Sequence, residues 1–177
     1  MIAGAIKSCY VVAVDLAASP PVCRVSDGEW VSAWVRWHSI AAGKARHWRA
    51  PSLGEQGALI SPSGDVSQGT FVPGLYGNAG PPPDNRDHVE VWRFDDGGSL
   101  VYDWQAKSYT VTLPSGTVTI KVGSTEAVVT DSAVTVTAAT INMKAAVMIE
   151  GALHVTKGIT SAGAIIDAGG NSNHHTH

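Results

Sequence analysis

The chain has 177 residues, 44% of them hydrophobic, enough apolar material for one ordinary domain or two small ones, which excludes an intrinsically disordered protein. Twelve basic and fifteen acidic side chains leave a net charge of −3, so electrostatics call for neither nucleic acid nor an anionic membrane as partner, and shape must do the matching. No run approaches the roughly eighteen apolar residues of a membrane-spanning helix. The apolar run Tyr10–Val14 has one basic residue nearby, Lys7, and is cut short by Asp15, which is poor material for a signal peptide. Cys9 and Cys23 stand fourteen apart on neighbouring predicted strands; a disulfide is allowed, and two small buried thiols are the better reading.

From Met1 to about Pro82 the pattern predicts short β segments at Cys9–Val14, Val22–Val25, Trp30–Trp37, Gly57–Ser61 and Thr70–Leu75. Turn formers separate them: Ser19-Pro20-Pro21, Asp27-Gly28, Pro51-Ser52-Leu53-Gly54 and Ser61-Pro62-Ser63-Gly64-Asp65. The best helical candidate, Ser39–Arg46, is short and interrupted by glycine. Five strands in so short a stretch suit a small Greek-key barrel of the OB type. In the third segment Trp30 and Trp34 alternate with Val31, Ala33 and Val35. One set is expected to face the barrel core and the other to pack on a second layer or on another subunit.

Gly80-Pro81-Pro82-Pro83-Asp84-Asn85 makes a stiff connector. It leads into Val89–Phe94, the turn Asp95-Asp96-Gly97-Gly98, and Ser99–Trp104, which read as a hairpin forming a neck. Composition changes sharply near Tyr109: every Trp, Tyr and Phe lies at or before it. Beyond it, apolar residues recur in alternating groups: Val111 and Leu113; Val118, Ile120 and Val122; Val128; Val134 and Val136; Ile141 and Met143; Val147 and Ile149; Leu153 and Val155. Threonines fill many intervening positions, among them Thr110, Thr112, Thr117, Thr119, Thr135 and Thr137, as expected of a solvated β face. Each strand thus carries one apolar stripe, and no amphipathic helix or aromatic core is available to cover it. Three chains wound about a common axis would bury the stripes inside a triangular prism; a single-chain β-helix is the alternative, with too few residues for more than two or three rungs. From Gly158 the side chains shrink, through Ser161, Ala162, Gly163, Ala164, Ala168, Gly169 and Gly170, which predicts a taper.

The chain ends Asn171-Ser172-Asn173-His174-His175-Thr176-His177. If extended, this end presents His175 and His177 on one side and Thr176 on the other. Two imidazoles do not close a metal site, but three copies about a three-fold axis supply six nitrogens, a set that suits an octahedral ion better than tetrahedral zinc.

The run Gly54-Glu55-Gln56-Gly57-Ala58-Leu59-Ile60-Ser61-Pro62-Ser63-Gly64-Asp65, followed by Gly69-Thr70-Phe71-Val72-Pro73-Gly74-Leu75-Tyr76 and by Pro81-Pro82-Pro83, resembles the baseplate assembly protein V family. These are the central spike proteins of contractile phage tails and of R-type bacteriocins. Trp34-Val35-Arg36-Trp37 resembles the family's tryptophan-flanked strand, and Phe94-Asp95-Asp96-Gly97 with Tyr102-Asp103 its neck. The resemblance implies an all-β chain: an N-terminal OB-fold barrel followed by a trimeric intertwined β-helix, a triangular prism, that tapers to a needle tip. On that reading residues 1–82 are the OB-fold domain, 83–109 the neck, 110–160 the shaft and 161–177 the metal-binding tip.

The resemblance further implies one iron ion per trimer, held by His-x-His from each chain, which here falls on His175 and His177; His174 matches no motif position. It implies a homotrimer docked on a tail tube or baseplate hub protein through its OB domains. Such a spike is assembled in the bacterial cytoplasm, carried on the virion or bacteriocin particle, and driven into the target cell's outer membrane. A trimeric fibre-like module binding a cell-surface glycan is the alternative, and it calls for distal aromatics that this sequence does not have. No enzyme activity is expected. Ser61-Pro62-Ser63-Gly64 reads as a turn, Asp95 and Asp96 as hairpin residues, His38, His47 and His88 as scattered loop and neck residues, and His154 as a surface residue.

Overall fold

A computed structural model of the protein describes residues 6–62 and 64–163. Eleven strands and no helix occur among the described residues, so the chain is all-β. Contacts group it into two compact units, Met1–Gly116 and Thr117–His177.

The first unit opens with five strands, β1 (Ile6–Asp15), β2 (Val22–Ser26), β3 (Arg36–Trp37), β4 (Gln56–Ile60) and β5 (Thr70–Leu75), in the sheet order β2-β1-β4-β5-β3. β1 serves two neighbours. Its first half pairs with β4, Cys9 opposite Gly57, and its second half with β2, Val14 opposite Cys23. The β1–β2 register slips between Val11 and Ala13, a bulge that bends the strand around the barrel. β3 lies parallel to β5, and just before it Val35 exchanges two hydrogen bonds with Cys23 of β2, of 2.8 and 2.9 Å. That bridge returns the sheet to its starting edge and closes the barrel.

Alternation along each strand fills the interior with Cys9, Val11, Cys23, Val25, Val35, Leu59 and Phe71. Gly57 is required for Phe71 to lie where it does: a Cβ there would collide with the Val72 carbonyl oxygen and come within 2.6 Å of the Phe71 ring. The cysteines are free and buried, as the better of the two sequence readings has it. Burial pushes both thiols up from 9.0 to about 11, and for Cys23 the neighbouring Cys9 adds to the effect. The folded state therefore favours neutral thiols. Their contribution to stability is complete below about pH 9 and is lost as pH rises through about 11. Urea titrations at pH 8 and pH 11 should show a larger alkaline loss for the native sequence than for Cys23→Ala; equal losses would contradict the assignment.

The third predicted strand differs from its expected form. Only Arg36–Trp37 is regular strand, and the alternation of Trp30 and Trp34 against Val31, Ala33 and Val35 does not hold, because Val31 and Ala33 are exposed while Ser32 and Val35 are buried. The reason lies in Ser32. Its N–H donates to Val25 O (2.8 Å), its hydroxyl accepts from Val25 N–H (3.0 Å), and the same hydroxyl donates to Ala33 O (2.7 Å). A side chain thus replaces part of the ladder and interrupts the period of two. Trp30 packs against the core with the Lys7 ammonium 5.3 Å from its ring centroid, and Trp34 is exposed beneath the Arg24 guanidinium.

The first unit ends in a second sheet, β6 (Val89–Arg93), β7 (Ser99–Asp103) and β8 (Ser108–Thr112), in sequential antiparallel order. The expected hairpin forms at Asp95-Asp96-Gly97-Gly98: Phe94 N–H donates to Gly98 O (2.8 Å), Asp96 accepts from Gly98 N–H (2.9 Å), and Gly97 takes φ +87°, a left-handed value that glycine adopts without strain. Arg86 ties the connector to β7 by bonding Asp84 (2.8 Å) and Asp103 (3.2 Å). Its guanidinium holds the Asp84 carboxyl far below the usual carboxylate range.

The second unit contains the antiparallel sheet β9 (Val118–Val122), β10 (Thr125–Val129) and β11 (Val134–Thr137), in the order β11-β10-β9. After Thr137, residues 138–163 form no strand and make no backbone–backbone hydrogen bond among the described residues.

Candidate functional site

The β9-β10-β11 sheet has two chemically distinct faces. Val122 opposes Thr125 across a two-residue turn at Gly123, whose φ of +57° closes it, so even positions of β9 share a face with odd positions of β10. β11 then returns to even positions, Val129 opposing Val134. One face therefore carries Val118, Ile120 and Val122, then Ala127 and Val129, then Val134 and Val136. The other carries Thr119, Lys121, Glu126, Thr135 and Thr137, with Lys121 Nζ 3.4 Å from Glu126 Oε2.

Val128, grouped with the apolar stripe on sequence, lies on this polar face opposite Thr119 and Thr135. Ala127 and Val129 take its place because the turn inverts the parity, and a register sum across the hairpin, not the local alternation, was the signal that would have shown it.

The apolar face is uncovered within the chain: Ile120 is 68% exposed, Val122 76% and Val134 72%. The apolar residues that follow, Ile141, Met143, Val147, Ile149, Leu153 and Val155, are likewise exposed. Apolar surface on this scale marks a contact site, and residues 138–163, which make no backbone–backbone hydrogen bond among the described residues, add to the demand for one.

The barrel and the neck sheet of the first unit line an open groove of about 830 Å³ with Leu53, Leu75, Tyr76, Trp92 and Phe94 among its walls. Arg49 and Glu55 stiffen one side through two hydrogen bonds of 2.5 and 2.9 Å, and Ser52 N–H donates to the same carboxylate (2.9 Å). Burial opposes ionisation of Glu55, but these bonds and the Arg49 charge outweigh it and keep the carboxyl below its ordinary value.

His175 and His177 lie outside the described residues, as does the end of the expected tip. Among the described residues no three His, Cys, Asp or Glu side chains are grouped to hold a metal ion. The other candidates are dispersed. The Ser61 hydroxyl is buried and donates to Asp65 O (2.7 Å), so it serves the turn. His38 pairs with Thr70, His47 with Ser39 and the edge of Trp92, and His88 with Asp87, while His154 is exposed.

Residues 7–76 match the family described as the type VI secretion system/phage-baseplate injector OB domain. Residues 90–161 match the beta helical trimerization domain of Gp138. The chain is also similar to the spike protein of Escherichia phage P2, 32% identical over 108 residues, which cover 60% of this chain and 50% of that protein. It thus spans about half the length of the curated relative it matches. A barrel that fits the first match, and an uncovered β face inside the second, agree with the resemblance drawn from sequence: a stretch similar to the phage-baseplate injector OB domain is followed by one similar to a β-helical trimerization domain.

Proposed function

We propose that this chain is the homotrimeric central spike of a contractile tail, of a phage or an R-type bacteriocin, which caps the tube and punctures the target cell's outer membrane. The observation that carries the reading is a sheet whose apolar face is exposed in its own chain, followed by residues 138–163, which make no backbone–backbone hydrogen bond among the described residues, within a stretch matching a trimerization domain. Three such chains wound together bury one another's stripes and exchange the missing backbone bonds. A shaft built that way resists bending because no strand yields without unwinding the others. The similarity to a phage spike protein supports the same role. The part played is mechanical, and the barrels are the parts suited to dock on a tube or hub protein.

His175 and His177 of three chains are assigned to one iron ion near the end of the shaft. The donor set fits: six neutral imidazoles suit an octahedral borderline ion and leave no open position for a reacting water. Bound there, the metal supplies a cross-link between chains where side chains become too small to build a core. Sedimentation equilibrium combined with elemental analysis of the purified protein tests both assignments. The expected result is a trimer with one iron per three chains, and loss of the iron but not of the trimer in His175→Ala. A monomer would overturn the function, and an iron-free trimer the metal assignment alone.

A further inference from the structure

Between Glu29 and Glu55 the chain carries no acidic residue, yet residues 30–54 hold Arg36, Lys44, Arg46 and Arg49, four of the twelve basic side chains, and four of the six tryptophans. The stretch is thus +4 in a chain of −3, which leaves −7 (−3 − 4) on the remainder. Its middle is the excursion that joins β3 to β4. His38 anchors the start, its backbone N–H donating to Phe71 O (2.8 Å) and its ring bonded to the Thr70 hydroxyl (2.9 Å). The chain then turns back on itself. Ala42 bridges Arg46, His47 N–H donates to Ala41 O (2.9 Å), Gly43 N–H donates to Ala45 O (3.1 Å), and the Ser39 hydroxyl donates to His47 O (2.6 Å). The rings of Trp37 and Trp48, with centroids 5.7 Å apart, close the base, and Lys44 stands at the tip. Arg49 is paired with Glu55, whereas Arg36, Lys44 and Arg46 are exposed and form no ion pair among the described residues. Ile40 and Trp48 are exposed as well, to 82% and 64%.

We propose that this excursion is the surface by which the barrel docks on the tube or hub protein, and that its counterpart there is an apolar pocket rimmed by carboxylates. The inference rests on the spike reading above and deepens it, by naming the contact surface and the chemistry of the partner. Charge complementarity selects an acidic partner, because three cations go unpaired in a chain whose remainder is negative. Ile40 and Trp48 select a protein over a nucleic acid. An isoleucine neither stacks on a base nor bonds a phosphate, and the Trp48 ring already lies against Trp37, while exposed Trp and Arg flanked by aliphatic surface are the material of a protein contact. The excursion falls within residues 7–76, which match the injector OB domain, and outside residues 90–161, which match the trimerization domain. It is therefore separate in sequence from the stretch assigned to contacts between copies.

Gene replacement in the producing cell tests the proposal, with the spike recovered on purified particles measured by immunoblot and each free spike checked by sedimentation. Lys44→Glu/Arg46→Glu should lower the spike on particles about tenfold or more, while Lys44→Arg/Arg46→Lys, which keeps both charges, should match the wild type. Both side chains are exposed and unpaired, so the reversal leaves the chain's own packing alone. Recovery of the reversed spike at the wild-type level overturns the proposal and leaves the spike reading standing, and so does equal loss of the charge-keeping pair. Absence of the wild-type spike from particles overturns both. If fluorescent oligothymidine binds the free wild-type spike and the reversal abolishes that binding without changing recovery on particles, the surface belongs to nucleic acid and the proposal fails. Should the reversed chain not assemble, hydroxyl-radical footprinting of the wild type decides: Trp48 must be labelled less on the particle than in the free spike, and equal labelling overturns the proposal.

Discussion

Replacing Phe71 by alanine should lower the stability of the barrel by about 3–5 kcal/mol, a large share of the roughly 5–15 kcal/mol that holds a typical domain together. Phe71 is fully buried and is the one aromatic side chain among the buried core residues, the others being Cys9, Val11, Cys23, Val25, Val35 and Leu59. Removing the ring leaves a cavity that the surroundings cannot fill by relaxing. On one side the neighbour is the Gly57 backbone, fixed in the ladder with β1 and carrying no side chain to lean inward. Leu59, directly opposite Phe71 across the β4–β5 ladder, is likewise held in place by the closed sheet. A matched substitution outside the barrel, Leu53→Ala, removes a side chain that is mostly exposed and should change stability by no more than about 0.5 kcal/mol. Urea unfolding followed by tryptophan fluorescence, which samples Trp30 and Trp37 beside the core, measures both variants. A loss below about 1 kcal/mol for Phe71→Ala would mean the barrel interior collapses more readily than its closed hydrogen-bonding allows.

Ile120→Asp should abolish assembly while leaving the single chain's fold nearly unchanged. Ile120 sits at the centre of the edge strand β9, on the apolar face of the β9-β10-β11 sheet opposite Ala127, and is exposed within its own chain, so the chain alone loses little when it is replaced. Buried in a trimer, each carboxylate would lack a partner, at a cost of about 3–5 kcal/mol per chain, repeated in all three copies. The parity of the hairpin gives the controls. Thr119→Asp and Val128→Asp lie on the polar face and should leave the trimer intact, whereas Val129→Asp, one residue further on, should break it as Ile120→Asp does. Sedimentation velocity on the four variants reads the outcome directly. If Val128→Asp dissociates the trimer and Val129→Asp does not, the face has been assigned to the wrong side of the sheet.

Much of this architecture was legible in the residues. Punctuation by proline and glycine marked the barrel strands: Thr70–Leu75 is observed at its predicted bounds, and Cys9–Val14, Val22–Val25 and Gly57–Ser61 differ only at their ends. The Asp-Gly turn marked the neck hairpin, whereas the break in aromatic content at Tyr109 falls inside β8 and not at the unit boundary after Gly116. These signals are local: they depend on which dihedral angles a residue tolerates and on which neighbours share a face, and both are written in a few consecutive letters.

What the sequence by itself determined is therefore an all-β chain with a closed, aromatic-containing first part and a second part whose apolar stripe has nothing in the same chain to cover it. Only the tertiary structure decided which face each residue occupies. Ser32 entered the barrel because its hydroxyl replaces a ladder bond, which no apolar pattern announces. Val128 turned to the polar side because pairing across Gly123 inverts parity. Phe94 and Leu113, nineteen residues apart, met over Gly98 to extend an aromatic face that reads along the chain as three unrelated short strands. In each case the deciding quantity is a register between strands, which depends on hydrogen bonds made at a distance along the chain.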